Sequence, residues 1–451
     1  MNTASGGPPG FRVDVDQNPY LPVGGTEVHA IVSVAAGSAG DPQGPRPAPP
    51  ASGPAGGPPP AAEVVIIDGS GSMYGEKIVA AKRAARAAVD TLRDGVHFGI
   101  VCGTGVARLV YPAERRLVPA DARTRAAAKE AVGSLDASGG TRMGTWLTLA
   151  DELFAPFGEG ALKHAVLLTD GQNNEQTEGF ERILARCSGR FVCDCRGVGT
   201  DWNVDELRRI ASALLGDVGF IRDPDEMAED FRALTERAMG KSVADVALRL
   251  WAPKAARVRF VKQVAPGVED LTGRAAPSGP QTADYPLGSW GEESRDYHLC
   301  IEVPAGAPGQ QMRAGWVKLV APSAGGAVLA SGNVLAEWTE DEAKATEINP
   351  RVAHYTGQVE LSRAIQEGLK ARREGDDESA TLRLGRAVAL AHASGNRATA
   401  EMLGRVVDVV DPVTGTVRLK KDVEKADEMT LDTYSTRTVR TRGAGESAKG
   451  E

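Results

Sequence analysis

The chain has 451 residues and a formal net charge of −8, with 42% hydrophobic and 25% charged residues. This length predicts two or three domains rather than a single core. The acidic balance argues against binding to nucleic acid, and the sequence has no apolar run as long as a bilayer span, which argues against a membrane protein.

The first residues and the cysteines indicate a reducing compartment. Residues 1–7 lack the basic patch and the apolar core of a secretion signal. Five cysteines, an odd number, fit poorly with a framework of disulfides. We therefore expect a soluble, cytoplasmic protein.

Residues 1–36 contain two β-prone runs, from Phe11 to Val15 and from Glu27 to Val34. Two strands do not form a stable unit alone. We therefore expect them to join a sheet that is formed later in the chain. Residues 37–61 consist mostly of Ala, Gly, Pro and Ser, and they are predicted to be a linker.

Residues 62–240 alternate apolar strand patterns with helix patterns, which predicts an α/β domain with a doubly wound, mostly parallel sheet. The apolar run from Val64 to Ile67 ends at Asp68 and is followed by Gly-Ser-Gly-Ser and a helical pattern. The loop between strand and helix therefore lies at the carboxyl end of a parallel strand, where such sheets bind ligands.

Asp68, Ser70 and Ser72 alternate along this loop, so their side chains can converge on one point. Carboxylate and hydroxyl oxygens are hard donors that suit Mg²⁺ or Mn²⁺ rather than a thiophilic metal. The alternative is a structural role, in which Ser70 or Ser72 caps the helix that follows.

The sequence Asp-Gly-Ser-Gly-Ser after an apolar strand resembles the first metal-binding loop of a von Willebrand factor A domain. Such domains have a Rossmann-like fold and a metal-ion-dependent adhesion site, completed by a threonine of a second loop and an aspartate of a third. Here Gly139-Gly140-Thr141 precedes a helical segment, and Asp170 ends the apolar strand that begins at Ala165. The resemblance implies a divalent-metal site with these ligands: Asp68, Ser70, Ser72, Thr141 and Asp170.

The rest of the chain changes from strand patterns to helix patterns to a polar tail. Residues 241–339 carry short alternating runs, which predict a β-sandwich that also takes up residues 1–36; several von Willebrand factor A proteins have such a flanking sandwich. Residues 340–410 are predicted to form a small helical bundle. Residues 411–451 are charged and rich in hydroxyl groups, and they are predicted to be largely disordered.

Three threonines of this tail, Thr433, Thr436 and Thr438, are candidate phosphoacceptors. A polar segment that is not packed is accessible to a kinase, and a phosphate there adds charge that a reader protein can recognise. The alternative is a solvated tail without such a role.

Cys187, Cys193 and Cys195 lie close enough in sequence to suggest a zinc site. However, Cys193 and Cys195 belong to a strand pattern, and their one-residue spacing differs from the spacing that structural zinc sites use. We favour buried strand thiols.

The expected function is that of a non-enzymatic module that binds a protein partner through the metal. The resemblance implies that an Asp or Glu side chain of the partner completes the coordination. This role fits a scaffold or regulator in an intracellular bacterial signalling or stress-response complex.

Two alternatives remain open. One is a metal-assisted hydrolase or phosphoryl-transfer enzyme; against it, the loop lacks the Gly-Lys-Ser/Thr ending of a P-loop, and the six histidines are scattered without a carboxylate cluster. The other is a phosphorylated scaffold whose tail binds a Ser/Thr kinase, a phosphatase or a phosphothreonine-binding protein.

Overall fold

A computed structural model of the chain describes residues 10–37 and 59–440. These residues form two compact units. The first, here called the α/β unit, comprises residues 59–245 and 288–291. The second, here called the β/helical unit, comprises residues 10–37, 246–287 and 292–440. Most of the predicted linker, residues 38–58, lies outside the described residues, as do residues 441–451.

The described chain begins with strands of the β/helical unit. They are β1 (Gly10–Gln17), β2 (Tyr20–Pro22) and β3 (Glu27–Gly37). β1 and β3 pair in antiparallel fashion, with Val13 opposite Val34.

The α/β unit contains seven strands and six α-helices among its described residues. The strands are β4 (Ala61–Asp68), β5 (His97–Gly103), β6 (Arg108–Tyr111), β7 (Val118–Pro119), β8 (Leu162–Thr169), β9 (Val192–Val198) and β10 (Val218–Ile221). The helices are α1 (Glu76–Thr91), α2 (Ala122–Ala131), α3 (Met143–Phe154), α4 (Thr177–Cys187), α5 (Val204–Ala213) and α6 (Met227–Met239).

The strands form one sheet in the order β10-β9-β8-β4-β5-β6, with β7 also paired to β5. β4 pairs in parallel with both β5 and β8, and β6 is antiparallel to β5. Val65 and Ile67 of β4 share one core with the alanine-rich face of α1 and with Phe231 of α6. The predicted doubly wound, Rossmann-like fold is confirmed.

The β-sandwich of the β/helical unit consists of two sheets in which most neighbouring strands are antiparallel. Its remaining strands are β11 (Val243–Trp251), β12 (Arg257–Ala265), β13 (Glu269–Asp270), β14 (Ala276–Gly279), β15 (Thr282–Trp290), β16 (Glu293–Glu302), β17 (Gln311–Ala321) and β18 (Ala327–Thr339). The strand orders are β1-β3-β16-β12-β13, here called the β3/β16 sheet, and β14-β15-β11-β17-β18-β2.

Glycines allow the two sheets to approach each other closely. A Cβ atom at Gly315 of β17 would lie 2.7 Å from Ile301 Cδ1 of β16, and one at Gly332 of β18 would lie 2.7 Å from Val15 Cγ2 of β1. The predicted flanking β-sandwich is therefore confirmed.

Helices follow the sandwich, and a small hairpin lies among them. The elements are α7 (Glu342–Thr346), α8 (Pro350–Glu374), α9 (Asp377–Ala393), α10 (Arg397–Val406), β19 (Val407–Asp411), β20 (Thr416–Leu419) and α11 (Lys425–Tyr434). Gly375 ends α8 with φ 79°, a left-handed conformation that favours glycine, and the Asp376 side chain then accepts the Ser379 N–H and caps α9.

The prediction of a largely disordered tail from residue 411 is wrong for residues 411–440. Leu431 of α11 is fully buried in the core of α8, α9 and α10. Beyond α11, the Thr438 hydroxyl donates to Val264 O (2.6 Å), and Arg440 Nε donates to the buried Asp296 (3.0 Å). A few apolar residues and these polar contacts fix the segment although its composition is polar.

This order changes the view of the candidate phosphoacceptors. The side chain of Thr433 is buried, and Thr436 and Thr438 are half-buried. The Thr436 carbonyl accepts the Val268 N–H at 2.8 Å. The accessibility on which these three sites were predicted is absent at Thr433 and reduced at the other two, so the structure gives no support to a kinase, phosphatase or phosphothreonine-binding partner.

No helix within residues 10–37 and 59–440 combines the length and the apolar character needed to cross a bilayer.

Candidate metal centre

The loop that follows β4 holds Asp68 in a fixed orientation at the carboxyl end of the sheet. The Asp68 side chain is buried, and each of its oxygens accepts a hydrogen bond. The Ser70 N–H donates to Oδ1 (2.7 Å), and the Thr169 hydroxyl at the end of β8 donates to Oδ2 (2.6 Å). Burial raises the pKa of Asp68, and these hydrogen bonds oppose that rise.

Ser72 links the first loop to the third. The Ser70 and Ser72 hydroxyls lie 3.0 Å apart, and the Ser72 hydroxyl donates to Asp170 Oδ1 (2.6 Å). Lys77, in the first turn of α1, donates to the other oxygen of Asp170, Oδ2, at 2.6 Å. Asp170 is buried, so its charge is balanced by a hydroxyl and an ammonium group.

The second loop is held against the first by backbone hydrogen bonds. The Ser138 N–H donates to Gly69 O (2.6 Å), and the Gly71 N–H donates to Gly139 O (3.0 Å). Gly139 has φ 87°, which favours glycine and turns the chain so that Thr141 enters the site.

The position of Gly171 shows that the three loops converge. A Cβ atom built on Gly171 would lie 3.2 Å from Thr141 Oγ1, 3.5 Å from Ser72 Oγ and 3.9 Å from Asp68 Oδ2. This point beside Gly171 of the third loop is thus close to oxygen atoms of the first loop, from Asp68 and Ser72, and of the second loop, from Thr141. Two carboxylates and three hydroxyls are a donor set that fits a hard divalent cation such as Mg²⁺ or Mn²⁺.

The three clustered cysteines are buried thiols. Cys193 and Cys195 lie in β9, and Cys187 ends α4. Burial raises the pKa of Cys187 to about 11. Within the described part of the chain, the group that could hold a metal contains none of these three residues.

The expectation that no histidine meets a carboxylate cluster is wrong. His164 of β8 lies between Glu63 of β4 and Asp194 of β9. This is the end of the sheet opposite the loop of residues 68–72, here called the metal loop. His164 Nδ1 is 2.8 Å from Glu63 Oε1, and His164 Nε2 is 3.3 Å from Asp194 Oδ2. Burial disfavours the charge on His164, but the two carboxylates outweigh it and raise the pKa to about 10.

Sequence reasoning missed this cluster because its members are far apart along the chain. His164 is 101 residues from Glu63 and 30 residues from Asp194. The available signal was Glu63 itself, a charged residue at the start of an otherwise apolar strand, because a buried charge requires a partner.

Comparison with known proteins identifies the family. The family model of the von Willebrand factor type A domain matches residues 62–220, and that of the von Willebrand factor type A C-terminal domain matches residues 389–435. The solved structure of a von Willebrand factor type A protein from Catenulispora acidiphila is 50% identical and covers 98% of this chain and 99% of its own, with a TM-score of 0.90. The chain belongs to the von Willebrand factor type A family.

Two other proteins are similar to this chain at lower identity. An uncharacterized protein of Synechocystis sp. is 31% identical over 214 residues, which are 46% of this chain and 49% of that protein, so this chain spans about half of that relative. The ArnB paralog VWA2 of Sulfolobus acidocaldarius shares the fold at 15% identity, with a TM-score of 0.57 over 94% of this chain and 97% of its own.

von Willebrand factor type A domains are typically metal-dependent protein-interaction modules and are mostly non-enzymatic. They bind a divalent metal at the metal-ion-dependent adhesion site. The second family match, residues 389–435, covers the end of α9, α10, the hairpin and α11. The family model therefore includes residues 411–435 of the segment that composition alone predicted to be disordered.

Proposed function

We propose that the α/β unit binds Mg²⁺ or Mn²⁺ and that the bound ion captures an acidic side chain of a protein partner. The proposed ligands are the five oxygen-bearing residues of the three loops: Asp68, Ser70, Ser72, Thr141 and Asp170. The observation that carries the proposal is the cradle at Gly171, where a Cβ atom would lie within 3.9 Å of donor oxygens from Asp68, Ser72 and Thr141.

The composition of the donor set explains why a partner carboxylate would bind. Three of the five donors are neutral hydroxyls, so the ion keeps a strong attraction for a further anionic oxygen. An octahedral ion in a protein usually keeps positions for outside ligands. The exposure of Ser72 supports access of a partner from the side of this loop.

Exposed apolar side chains beside the metal loop support a protein as the partner. Tyr74, two residues after Ser72, is 81% exposed, and Val106 is 71% exposed. Val106 is two residues from Thr104, and the Thr104 side chain lies next to Gly69 of the first loop and Gly139 of the second loop. Val106 is therefore close to the proposed metal site. Exposed aromatic residues are enriched in protein interfaces. We propose that Tyr74 contacts the partner next to its carboxylate.

The role proposed for the whole protein is that of a scaffold or regulator in an intracellular bacterial complex. Support for it is the interaction role that is typical of the family.

Calorimetric titration with Mg²⁺ tests the metal site. We expect the full chain to bind Mg²⁺, and we expect Asp68→Ala and Gly171→Ala to abolish this binding while the far-UV circular dichroism stays unchanged. The methyl group of Gly171→Ala would occupy the cradle, 3.2 Å from Thr141 Oγ1.

Matched controls separate this effect from general damage to the fold. Asp90→Ala removes an exposed carboxylate from α1, and Gly179→Ala adds a methyl group where it meets no atom within 4 Å. Both should bind Mg²⁺ like the wild type. Undiminished Mg²⁺ binding by both Asp68→Ala and Gly171→Ala would contradict the site assignment.

Capture of a partner tests the second half of the proposal. The immobilised chain is incubated with a lysate of its source cells, with EDTA, and with EDTA followed by excess Mg²⁺. We expect a partner that EDTA releases, that Mg²⁺ restores, that Asp68→Ala does not retain and that Tyr74→Ala retains weakly. A partner retained equally by Asp68→Ala would show that binding does not pass through the metal.

A further inference from the structure

We propose a second metal site, for Zn²⁺ or a similar borderline-soft divalent cation, formed by Glu27, His29 and Cys300 on the outer face of the β3/β16 sheet. β3 and β16 are antiparallel neighbours, and Cys300 lies directly opposite His29 in the register. Residues two apart on a strand share a face, so Glu27 lies on the same face as His29. The site belongs to the β/helical unit and does not depend on the proposed function of the metal loop.

The three ligand atoms are already near the separations that zinc requires. His29 Nε2 is 3.8 Å from Cys300 Sγ and 3.9 Å from Glu27 Oε2, and all three ligand atoms lie within 4.8 Å of one another. A tetrahedral zinc ion with ordinary Zn–S and Zn–N bond lengths sets its sulfur and nitrogen ligands about 3.5 Å apart. Small side-chain rotations would therefore close the site.

A neighbouring histidine orients the proposed His29 ligand. His298 of β16 is buried, and its Nε2 lies 3.1 Å from His29 Nδ1. When His29 Nδ1–H donates to His298 Nε2, the lone pair of His29 Nε2 faces Cys300 and Glu27. Histidine ligands of metals usually donate their second nitrogen in this way.

Packing fixes the ring of His298. The Phe260 ring of β12 meets it edge to face, with centroids 4.9 Å apart, and Lys262 Nζ lies 4.8 Å from the centre of the Phe260 ring. The Phe260 contact thus holds the His298 ring in place, whereas the proposed ligands Glu27 and His29 have side chains that are 54% and 38% exposed. An ion can enter from solvent.

The donor types decide the class of metal. A thiolate, an imidazole and a carboxylate favour zinc-like cations, whereas Mg²⁺ selects oxygen donors. Three protein ligands with one side open to solvent leave a fourth position for water. This composition separates the site chemically from the metal loop, whose proposed ligands are all oxygen atoms.

Titration of the full chain with Co²⁺ tests the proposal, because a thiolate bound to Co²⁺ gives a charge-transfer absorption that oxygen ligands do not give. We expect this absorption, with the intense visible bands of tetrahedral Co²⁺, in the wild type and in Asp68→Ala. Added Zn²⁺ should remove both features by displacing Co²⁺. Cys300→Ser should lack the thiolate absorption, and Cys187→Ser, which alters another buried thiol, should retain it.

Two surface variants keep the test decisive if Cys300→Ser fails to fold. Glu27→Gln should weaken Co²⁺ binding at least tenfold, whereas Glu374→Gln, which removes a carboxylate that is 61% exposed on α8, should leave it unchanged. His298→Gln, which removes the orienting ring, should cost about 10- to 100-fold in affinity.

The proposal fails if the wild type shows no thiolate absorption with Co²⁺. It also fails if folded Cys300→Ser retains that absorption, or if Glu27→Gln and Glu374→Gln bind Co²⁺ alike. Because Asp68→Ala is expected to retain this site, a failure here is distinguishable from a failure of the Mg²⁺ site.

Discussion

Lys77 places an ammonium group 2.6 Å from Asp170 Oδ2, among the atoms proposed to bind the cation. Its positive charge partly neutralises Asp170 in the absence of metal, and a divalent ion has to compete with it. Lys77→Met should therefore tighten Mg²⁺ binding by roughly three- to tenfold, the equivalent of about 0.7–1.4 kcal/mol. The same change should lower the melting temperature of the metal-free protein, because Asp170 then stays buried without a counter-charge.

Calorimetry and thermal unfolding, each with and without Mg²⁺, measure the two effects. Lys82→Met is the control, since Lys82 lies on the same helix but donates to Gly133 O at the surface. Weaker Mg²⁺ binding by Lys77→Met would show instead that Lys77 positions Asp170 for the ion.

At the scale of single residues, the sequence pointed to the cluster of oxygen-bearing side chains around Asp68, but it pointed neither to the cluster around His164 nor to that around His29. Asp68, Ser70 and Ser72 occupy one loop, and a family resemblance supplied Thr141 and Asp170. His29 and Cys300 are 271 residues apart, and only the register of β3 with β16 places them together. A single sequence does not contain that register.

At the scale of the elements, the His164 cluster lies at the end of the sheet away from the metal loop. The positive charge of His164 makes the free energy of unfolding depend on pH. The pKa of His164 is raised from its ordinary value of 6.5 to about 10. The stabilisation by charged His164 is therefore complete below pH 6.5 and is lost as the pH rises through about 10.

We expect the free energy of unfolding of the wild type to fall between pH 6.5 and pH 10 more steeply than that of His164→Gln. Urea unfolding at several pH values in this window measures both slopes. His392→Gln, which removes an exposed histidine, should retain the wild-type slope. Equal slopes for the wild type and His164→Gln would mean that His164 is neutral in the folded protein.

We expect helix α11 to contribute strongly to the stability of the helical core, although its sequence is polar. Leu431 is 0% exposed, and Leu431→Ala should cost about 2–5 kcal/mol of unfolding free energy, the range for a buried leucine. Leu382→Ala on α9 is the control, because that side chain is 71% exposed and the change should cost little. Denaturant unfolding compares the two, and similar small losses would show that α11 is dispensable.

The hydrophobic patterns of the sequence predicted helices and strands correctly where a strand is buried on both faces or a helix is buried along one side. The continuous run of β4 and the alanine face of α1 are examples, since one is buried on both faces and the other on one side. The prediction for the tail failed because the average polarity of a segment does not show which positions are buried: in α11, Met429 and Leu431 supply the buried contacts, and the Thr430 hydroxyl donates to Ala426 O. The sequence predicted no hairpin at β19 and β20: most of β19 lies in the segment predicted to be helical, and β20 lies in the predicted tail.

At the scale of the whole molecule, the chain enters the sandwich, leaves it for the α/β unit and returns to it. β3 pairs with β16 along ten residues, from Glu27 to Ala36. The predicted domain boundaries follow this connectivity, and they stay a prediction that deletion can test.

Deleting residues 1–37 should leave β16 without its β3 neighbour and should expose apolar side chains of the sandwich. Unpaired strand edges promote association between chains. We expect aggregation or rapid proteolysis within residues 243–339, measured by light scattering and limited proteolysis. Excising residues 59–240 instead should leave a soluble, β-rich product, and a well-behaved deletion of residues 1–37 would show that β1 and β3 are not needed by the sandwich.

The pairing of β3 with β16 also sets a waiting time during synthesis on the ribosome. Ser33 and its partner Asp296 are 263 residues apart. At a translation rate of about 5–20 residues per second, β3 emerges about 13 to 53 seconds before the strand that it pairs with. During this interval the α/β unit can fold while β1 and β3 remain incomplete. A ribosome that stalls after the α/β unit but before β16 would therefore release a chain with a folded metal loop and an unpaired strand, a natural substrate for chaperones and proteases.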